Sequence, residues 1–246
     1  IEQVSHINAY LAKGSNVIIK PYSKPISKLP SISFGSMPND NGALILDRYE
    51  KDNLLQNNPE AEPLIKKFLG SQEFIRGQER FCLWIEDKDI ELAKSIESIN
   101  QRIRRVYQSR INSKRIPTQK LAEMPHRFGE VRHRDTHSVI IPRVSSERRQ
   151  YIPIGYLEKD VVISDSAFAL YDAEIWLFGI LTSKIHNAWV RAVGGALETR
   201  IRYSATLCYN TFPFPEVTKA KKEEIATLAE EVLMVREHHT EKTLAE

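Results

Sequence analysis

Ile140-Ile-Pro-Arg-Val-Ser-Ser-Glu-Arg-Arg-Gln-Tyr-Ile-Pro-Ile-Gly-Tyr156 begins and ends as an extended, strand-like pattern. Between the two ends lies a polar turn holding Arg143, Ser145, Ser146, Glu147, Arg148 and Arg149. A strand–turn–strand of this kind fixes arginines on a rigid support. Guanidinium groups are planar, bidentate donors, suited to phosphates and to guanine edges. A surface hairpin with solvated charges would read the same way, because charge runs usually lie on surfaces. The flanking sequence must therefore decide.

The net charge is +3 over 246 residues, but it is unevenly spread. Residues 101–150 hold 13 Lys/Arg against 4 Asp/Glu, a balance of +9, whereas residues 216–246 hold 5 against 8, a balance of −3. Positive charge gathered in the middle of a chain is the footprint of a polyanionic partner. Hydrophobic content of 41% and charged content of 27% fit an ordinary globular protein long enough for one large or two smaller domains. No apolar run approaches the roughly 20 residues needed to cross a bilayer. The first residues show no signal-peptide pattern, and the chain starts without Met, as a piece of a longer protein would. Cys82 and Cys208 sit singly in apolar runs and read as buried thiols, hence a reducing, cytoplasmic compartment.

Working outward, residues 1–13 suggest a short helix and residues 17–20 a strand, followed by a proline-broken connector with Pro21, Pro25 and Pro30. Asp40-Asn41-Gly42 is a turn suited to positive φ, and residues 44–55 should follow as a helix capped at Asp47. A second short helix is expected over 60–69, then a buried strand over 80–85. The periodicity of Leu92, Ile96, Ile99, Ile103, Val106 and Ile111 predicts one long helix over 87–112, whose far end is rich in arginine. Residues 121–136 read as a turn of helix and an exposed basic loop. A strand at 161–164 and a Ser164-Asp-Ser166 turn lead to a second long helix over 172–193, apolar nearly all round and stopped by Gly194-Gly195. A strand over 202–209 and a helix capped by Thr218 with Ile225, Leu228, Val232 and Leu233 on one face complete the chain. The fold class is therefore α+β: a mixed twisted sheet with packed long helices and a helical C-terminal extension.

Catalytic constellations are weak. The acidic group Glu86, Asp87, Asp89 and Glu91 faintly suggests a metal-dependent nuclease, but an acidic first helical turn is the simpler reading. Ser145 or Ser146 with His186 and Asp165 lacks a Gly-x-Ser-x-Gly elbow. Zinc-ligand spacing, a phosphate-binding glycine loop and a dinucleotide fingerprint are missing. Three basic regions remain, 102–115, 127–134 and 143–149, interleaved with side chains able to read base edges. They indicate a nucleic-acid-binding module.

Eight segments occur in order: Gly35-Ser-Met-Pro-Asn-Asp-Asn-Gly42, Phe68-Leu-Gly-Ser-Gln-Glu-Phe-Ile75, Arg80-Phe-Cys-Leu-Trp-Ile85, Ile141-Pro-Arg-Val-Ser-Ser-Glu147, Tyr151-Ile-Pro-Ile-Gly155, Phe178-Gly-Ile-Leu-Thr-Ser183, His186-Asn-Ala-Trp-Val-Arg191 and Tyr209-Asn-Thr-Phe-Pro-Phe-Pro215. Together they resemble the C-terminal part of MmeI-like, type IIL restriction–modification enzymes. These join a nuclease, a helical spacer, an adenine-N6 DNA methyltransferase, a target recognition domain and a helical segment in one polypeptide.

The resemblance implies a connector from an upstream methyltransferase domain over 1–30, a target recognition domain over 31–215 and a C-terminal helical segment over 216–246. No Asn-Pro-Pro-aromatic or S-adenosylmethionine-binding glycine motif is present, so no catalysis is expected of this chain. The parent would be a site-specific adenine methyltransferase with a fused endonuclease, using S-adenosylmethionine and magnesium on double-stranded DNA. By the resemblance, base choice maps to Arg132, Arg134 and Asp135 and to Ser164, Asp165 and Ser166. The turn at Ser145-Ser146-Glu147 maps to framework or backbone contact. Adding the basic regions, the expected DNA-facing set is Arg105, Arg110, Lys114, Arg132, Arg134, Asp135, Arg143, Ser145, Ser146, Arg148, Arg149, Ser164, Asp165 and Ser166. Two alternatives remain: a free-standing nucleic-acid-binding module, or a metal-dependent nuclease.

Overall fold

The structure, a computed structural model, describes Ile7, Lys13 and residues 18–239 and 241–245. The helix expected over 1–13 falls outside these residues except at Ile7 and Lys13, which form an isolated antiparallel bridge. Val17 also lies outside them, and residues 18–20 form no strand.

In chain order the elements are β1 (Ser33–Phe34), β2 (Ile45–Leu46), α1 (Arg48–Asn57), β3 (Ile65–Leu69), α2 (Ser71–Arg76), β4 (Phe81–Leu83), α3 (Ile90–Ser95), α4 (Glu97–Ile111), α5 (Ile116–Lys120), β5 (Ser138–Pro142), β6 (Val144–Ser145), β7 (Gly155–Leu157), β8 (Val161–Ile163), β9 (Ala167–Tyr171), α6 (Ile175–Thr182), α7 (Lys184–Val193), β10 (Gly195–Leu197), β11 (Arg200–Arg202) and α8 (Lys219–His238). They form two compact units that interleave in sequence. Unit 1 is Ile1–Ser33, His137–Tyr156 and Phe168–Glu241; unit 2 is Phe34–Thr136, Leu157–Ala167 and Lys242–Glu246. The class is α+β, but the single mixed sheet of the sequence reading is three small sheets.

Unit 2 is built on the sheet β2-β4-β3-β8. β4 runs antiparallel to β2 and β3, and β8 lies parallel to β3 with Phe68 opposite Val162. The sequence over 60–69 is not a helix. Pro59–Leu64 is a short 3-10 turn with Pro63 inside it, and the apolar residues that follow enter the sheet as β3. The helix expected over 44–55 begins only at Arg48, because Ile45 and Leu46 pair with β4 as β2. The cap is Asp47 as expected, its carboxylate accepting from Glu50 N at 2.8 Å while Glu50 accepts from Asp47 N at 3.1 Å. Asn41 and Gly42 take the positive φ the turn offered.

The long helix expected over 87–112 is broken. Ile96 is extended, at φ −90° and ψ 105°, so α3 and α4 are separate. Both still bury their stripes, Ala93 and Ile96 beside Ile99, Ile103 and Val106, in one core. Periodicity survives a kink when both halves face the same core.

Unit 1 packs α6, α7 and α8 with the sheet ordered β1-β9-β5-β7. Trp176, Leu177, Phe178, Ile180 and Leu181 of α6 are all buried. The second long helix is also broken. Ser183 is extended and its hydroxyl accepts from His186 N, ending α6 and capping α7. Thr218 caps α8 through Lys221 N. A Cβ on Gly179 would come within 2.8 Å of Ile225 Cγ2, so the absence of a side chain there lets α6 and α8 approach closely. Arg236 fastens α8, donating to Ile154 O at 2.8 Å and lying over the Phe178 ring. The expected strand over 202–209 is mostly a π-helical turn, Ala205–Tyr209.

The central stretch is not a plain hairpin. β5 and β7 are neighbours in one sheet, but between them the chain enters a second sheet, ordered β10-β11-β6. Arg143 marks the crossing.

Candidate nucleic-acid interface

Each unit carries its own set of the expected residues. In unit 2, two loops meet on one buried residue, Ser36. Ser36 is fully buried, and its Oγ accepts from Arg132 N and from His133 N, both at 3.0 Å. Its carbonyl accepts from Asp165 N at 3.1 Å, and its own N–H donates to Ile163 O at 2.7 Å. The loops 132–135 and 164–166 are thus brought together. Gly35 makes this possible: a Cβ there would lie 2.3 Å from Ile163 O.

Along the first loop the side chains alternate. Arg132 and Arg134 are exposed, while the His133 side chain turns inward, edge-on to Trp84 with ring centroids 5.2 Å apart. Lys66 Nζ donates to Asp135 Oδ1 at 2.7 Å and lies 3.2 Å from His133 Nε2. Burial, then the Lys66 charge, lower the His133 pKa, so the ring is neutral at pH 7. The hydrogen bond from Lys66 holds the Asp135 carboxyl below the usual carboxylate range. Arg132 is paired with Glu130. In the second loop, Ser166 Oγ accepts from Ser71 N at 3.1 Å and Ser71 Oγ donates to Ser166 O at 2.7 Å. Ser166 is exposed and Asp165 half-buried, whereas Ser164 is buried and belongs to the frame. The basic loop is therefore only partly exposed: His126 and Phe128 are buried.

Arg110 does not face a partner. It is 1% exposed. Nε donates to Asn39 O, Nη1 to Leu121 O and Met124 O, and Nη2 to Pro38 O and Arg127 O, at 2.7–3.0 Å. All five donors are spent, so this arginine pins the loops rather than binding an anion. Burial lowers its pKa. Arg105 and Lys114 are exposed.

In unit 1, Ser145 is also buried. Arg143 is half-buried and lies over the Phe168 ring, 6.0 Å from its centroid. Ser146 shapes the turn, its Oγ accepting from Arg148 N and its carbonyl from Arg149 N. α7 holds the turn: Asn187 donates to Gln150 O and Arg191 to Arg149 O. Arg148 is almost fully exposed, at 92% of its side chain.

Ser36, Lys66, Trp84, Asn187 and Arg191 were not singled out from the sequence. They are frame residues, and nothing local distinguishes a serine that accepts two backbone N–H groups. Arg110 did leave a signal, because Ile99, Ile103, Val106 and Arg110 share one helical stripe.

The acidic group does not converge. Asp87 Oδ1 lies 2.8 Å from His126 Nε2 and accepts from Arg127 Nε at 2.8 Å, contacts that lower its pKa. Glu86 pairs with Lys88. Among the described residues no group of three or more His, Cys, Asp and Glu is placed to hold a metal ion. His186 is buried and lies 3.1 Å from the Tyr203 hydroxyl. Cys82 and Cys208 are free, buried thiols whose pKa burial raises. A hollow of about 1040 Å³ in unit 1 is walled mainly by apolar side chains such as Ile180, Ile185, Trp189, Leu228 and Val232. No helix among the described residues is long and apolar enough to cross a membrane.

Comparison with known proteins gives the family. The family model described as "MmeI, target recognition domain" matches residues 13–216. DNA methyltransferase A of Bacillus subtilis (strain 168) is 44% identical over 243 residues, covering 99% of this chain and 28% of that protein. The type IIL restriction-modification enzyme MmeI, solved in complex with DNA, matches with a TM-score of 0.88 at 38% identity, over 98% of this chain and 32% of that one. The type IIG restriction endonuclease BpuSI shares the fold, with a TM-score of 0.54 at 13% identity over 82% of this chain and 25% of that one. The chain spans less than a third of the length of these relatives. With the family match running over most of its length, it belongs to the MmeI target recognition domain family.

Proposed function

We propose that this chain reads the sequence of double-stranded DNA for a single-chain restriction–modification enzyme, positioning an adenine-N6 methyltransferase and an endonuclease on their site. The observation that carries this reading is the pair of loops seated on Ser36. They offer donors from Arg132 and Arg134 and acceptors from Asp135 and Asp165 on a fixed frame. Base edges are told apart by donors and acceptors held at set positions. Arg143, Ser146, Arg148 and Arg149 of unit 1, with Arg105 and Lys114 of unit 2, would hold the sugar–phosphate backbone, which orients without reading sequence. Arg110, Ser145 and Ser164 are reassigned to the frame because they are buried.

S-adenosylmethionine and magnesium would serve the parent's catalytic parts, upstream in the same cytoplasmic polypeptide. The residues here fit neither: the large hollow is apolar and the acidic group is engaged by His126, Arg127 and Lys88.

The test is a titration of the chain against duplex DNA at several salt concentrations. Each phosphate contact contributes about −0.9 to the slope of log K against log salt, so four to six contacts give roughly −4 to −5. A slope near zero would overturn the reading.

A further inference from the structure

An exposed two-stranded ribbon stands out from unit 1. β10 and β11 pair antiparallel, Gly195 opposite Arg202, Ala196 opposite Ile201 and Leu197 opposite Arg200. β11 continues onto β6, with Ile201 opposite Ser145 and Arg202 opposite Val144. Every residue of β10 is exposed, as are Arg200 and Arg202. β10 is thus the open outer edge of a three-stranded sheet, an edge that proteins usually shorten or cover.

The register sorts its faces. Directly opposed residues point the same way, and neighbours along a strand point opposite ways. Ile201 packs against the core of unit 1, and Ser145 beside it is buried. The other face therefore carries Arg200 and Arg202, with Leu197 at the tip and Gly195 beside Arg202. Nothing lies within 4 Å of where a Gly195 Cβ would be, so that face is open. Two residues along a strand place the arginines about 6.6–6.8 Å apart, the order of the separation between neighbouring phosphates on a nucleic-acid strand.

Two further details set the ribbon's shape. It turns on Glu198-Thr199, and Glu198 has φ +59°, a left-handed conformation that strains a non-glycine residue. Its carboxylate accepts from Arg200 Nη2 at 2.7 Å, which fixes the direction of that guanidinium. A relaxed surface turn would carry Gly or Asn there.

We infer that the β10–β11 ribbon is an additional DNA-backbone clamp, in which Arg200 and Arg202 hold successive phosphates of one strand. The outer edge of this sheet is exposed, and arginine is the residue suited to bidentate phosphate contact. This rests on the DNA-recognition reading. It adds a contact surface that lies outside the 132–135, 143–149 and 164–166 segments.

The chain, its Arg200→Ala/Arg202→Ala variant and its Arg200→Lys/Arg202→Lys variant are compared by salt-dependent duplex binding. Loss of two phosphate contacts should reduce the steepness of the salt slope by about 1.8 in the alanine variant. The lysine variant should keep the slope. Thermal melts should superimpose, since both side chains are exposed. An alanine variant that binds with the parental slope and affinity overturns the clamp and leaves the DNA reading standing. A wild-type chain that fails to bind duplex DNA overturns both. If the alanine variant misfolds, the Arg200→Gln/Arg202→Gln variant decides. It should lose about 1.8 of slope steepness like the alanine variant, and a folded glutamine variant with the parental slope and affinity overturns the clamp.

Discussion

The loops of unit 2 and the arginine-bearing turn and ribbon of unit 1 are both basic, yet they are built for different tasks. In unit 2 the backbone of 132–133 is fixed on a buried serine, and side chains of both hydrogen-bonding senses follow one another: Arg132, Arg134, Asp135. In unit 1 the exposed set is mainly cationic, Arg148, Arg200 and Arg202, with Glu147 and Glu198 beside two of them, carried on a short turn and a ribbon. Base reading needs donors and acceptors at known heights, whereas phosphate holding needs positive charge at the right spacing. Charge count alone does not separate the two; the support beneath each side chain does.

The largest expected effect would break the comparison at its foundation. Arg110→Ala removes five hydrogen bonds to backbone carbonyls: those of Asn39 and Arg127 lose their guanidinium donor, while those of Pro38, Leu121 and Met124 keep a backbone N–H. The change should destabilise the chain by about 3–5 kcal/mol. Arg105→Ala, one turn earlier and exposed, should stay within about 0.5 kcal/mol of wild type. Chemical denaturation measures both, and equal losses would show that Arg110 is not the pin of unit 2.

A second test sharpens the view of unit 1 as a stiff support. His186 is buried among Phe212, Phe214 and the Tyr203 hydroxyl, and burial lowers its pKa to about 3. That lies below the unfolded value of about 6.5, so the unfolded chain takes the proton first as pH falls. Stability should therefore decline below about pH 6.5, by about 2 kcal/mol between pH 7 and pH 5. His186→Gln should flatten that decline in thermal melts. His133 in unit 2, also lowered, leaves a smaller decline of the same sign in the variant. Parallel declines in wild type and variant would contradict the assignment to His186.

Much of the fold was legible from single residues. Asp47 with Glu50, Thr218, and the Asn41-Gly42 turn each act locally, and local signals survive into the structure. Helix continuity was less legible. The kink at Ile96 keeps the apolar period intact, so periodicity could not reveal it. The break at Ser183 was readable in principle, since Ser is a preferred N-cap. The ribbon escaped because Gly194-Gly195 reads as a helix stop and Glu198-Thr199 is no recognised hairpin turn.

Of the site, the exposed arginines were legible as charge. Their sorting was not, because Ser36 reaches Arg132 and Lys66 reaches Asp135 across 96 and 69 residues of chain.

The most direct measurement of sequence reading is selection of bound duplexes from a randomised pool, using the wild-type chain, Arg134→Ala and Arg149→Ala. Wild type is expected to enrich one motif. Arg134→Ala should relax it at a base pair, with about 1–3 kcal/mol of discrimination lost there. Arg149→Ala should bind more weakly while enriching the unchanged motif. Enrichment of the wild-type motif with undiminished strictness by Arg134→Ala, or no motif at all from the wild-type chain, would contradict base reading by the loop that rests on Ser36.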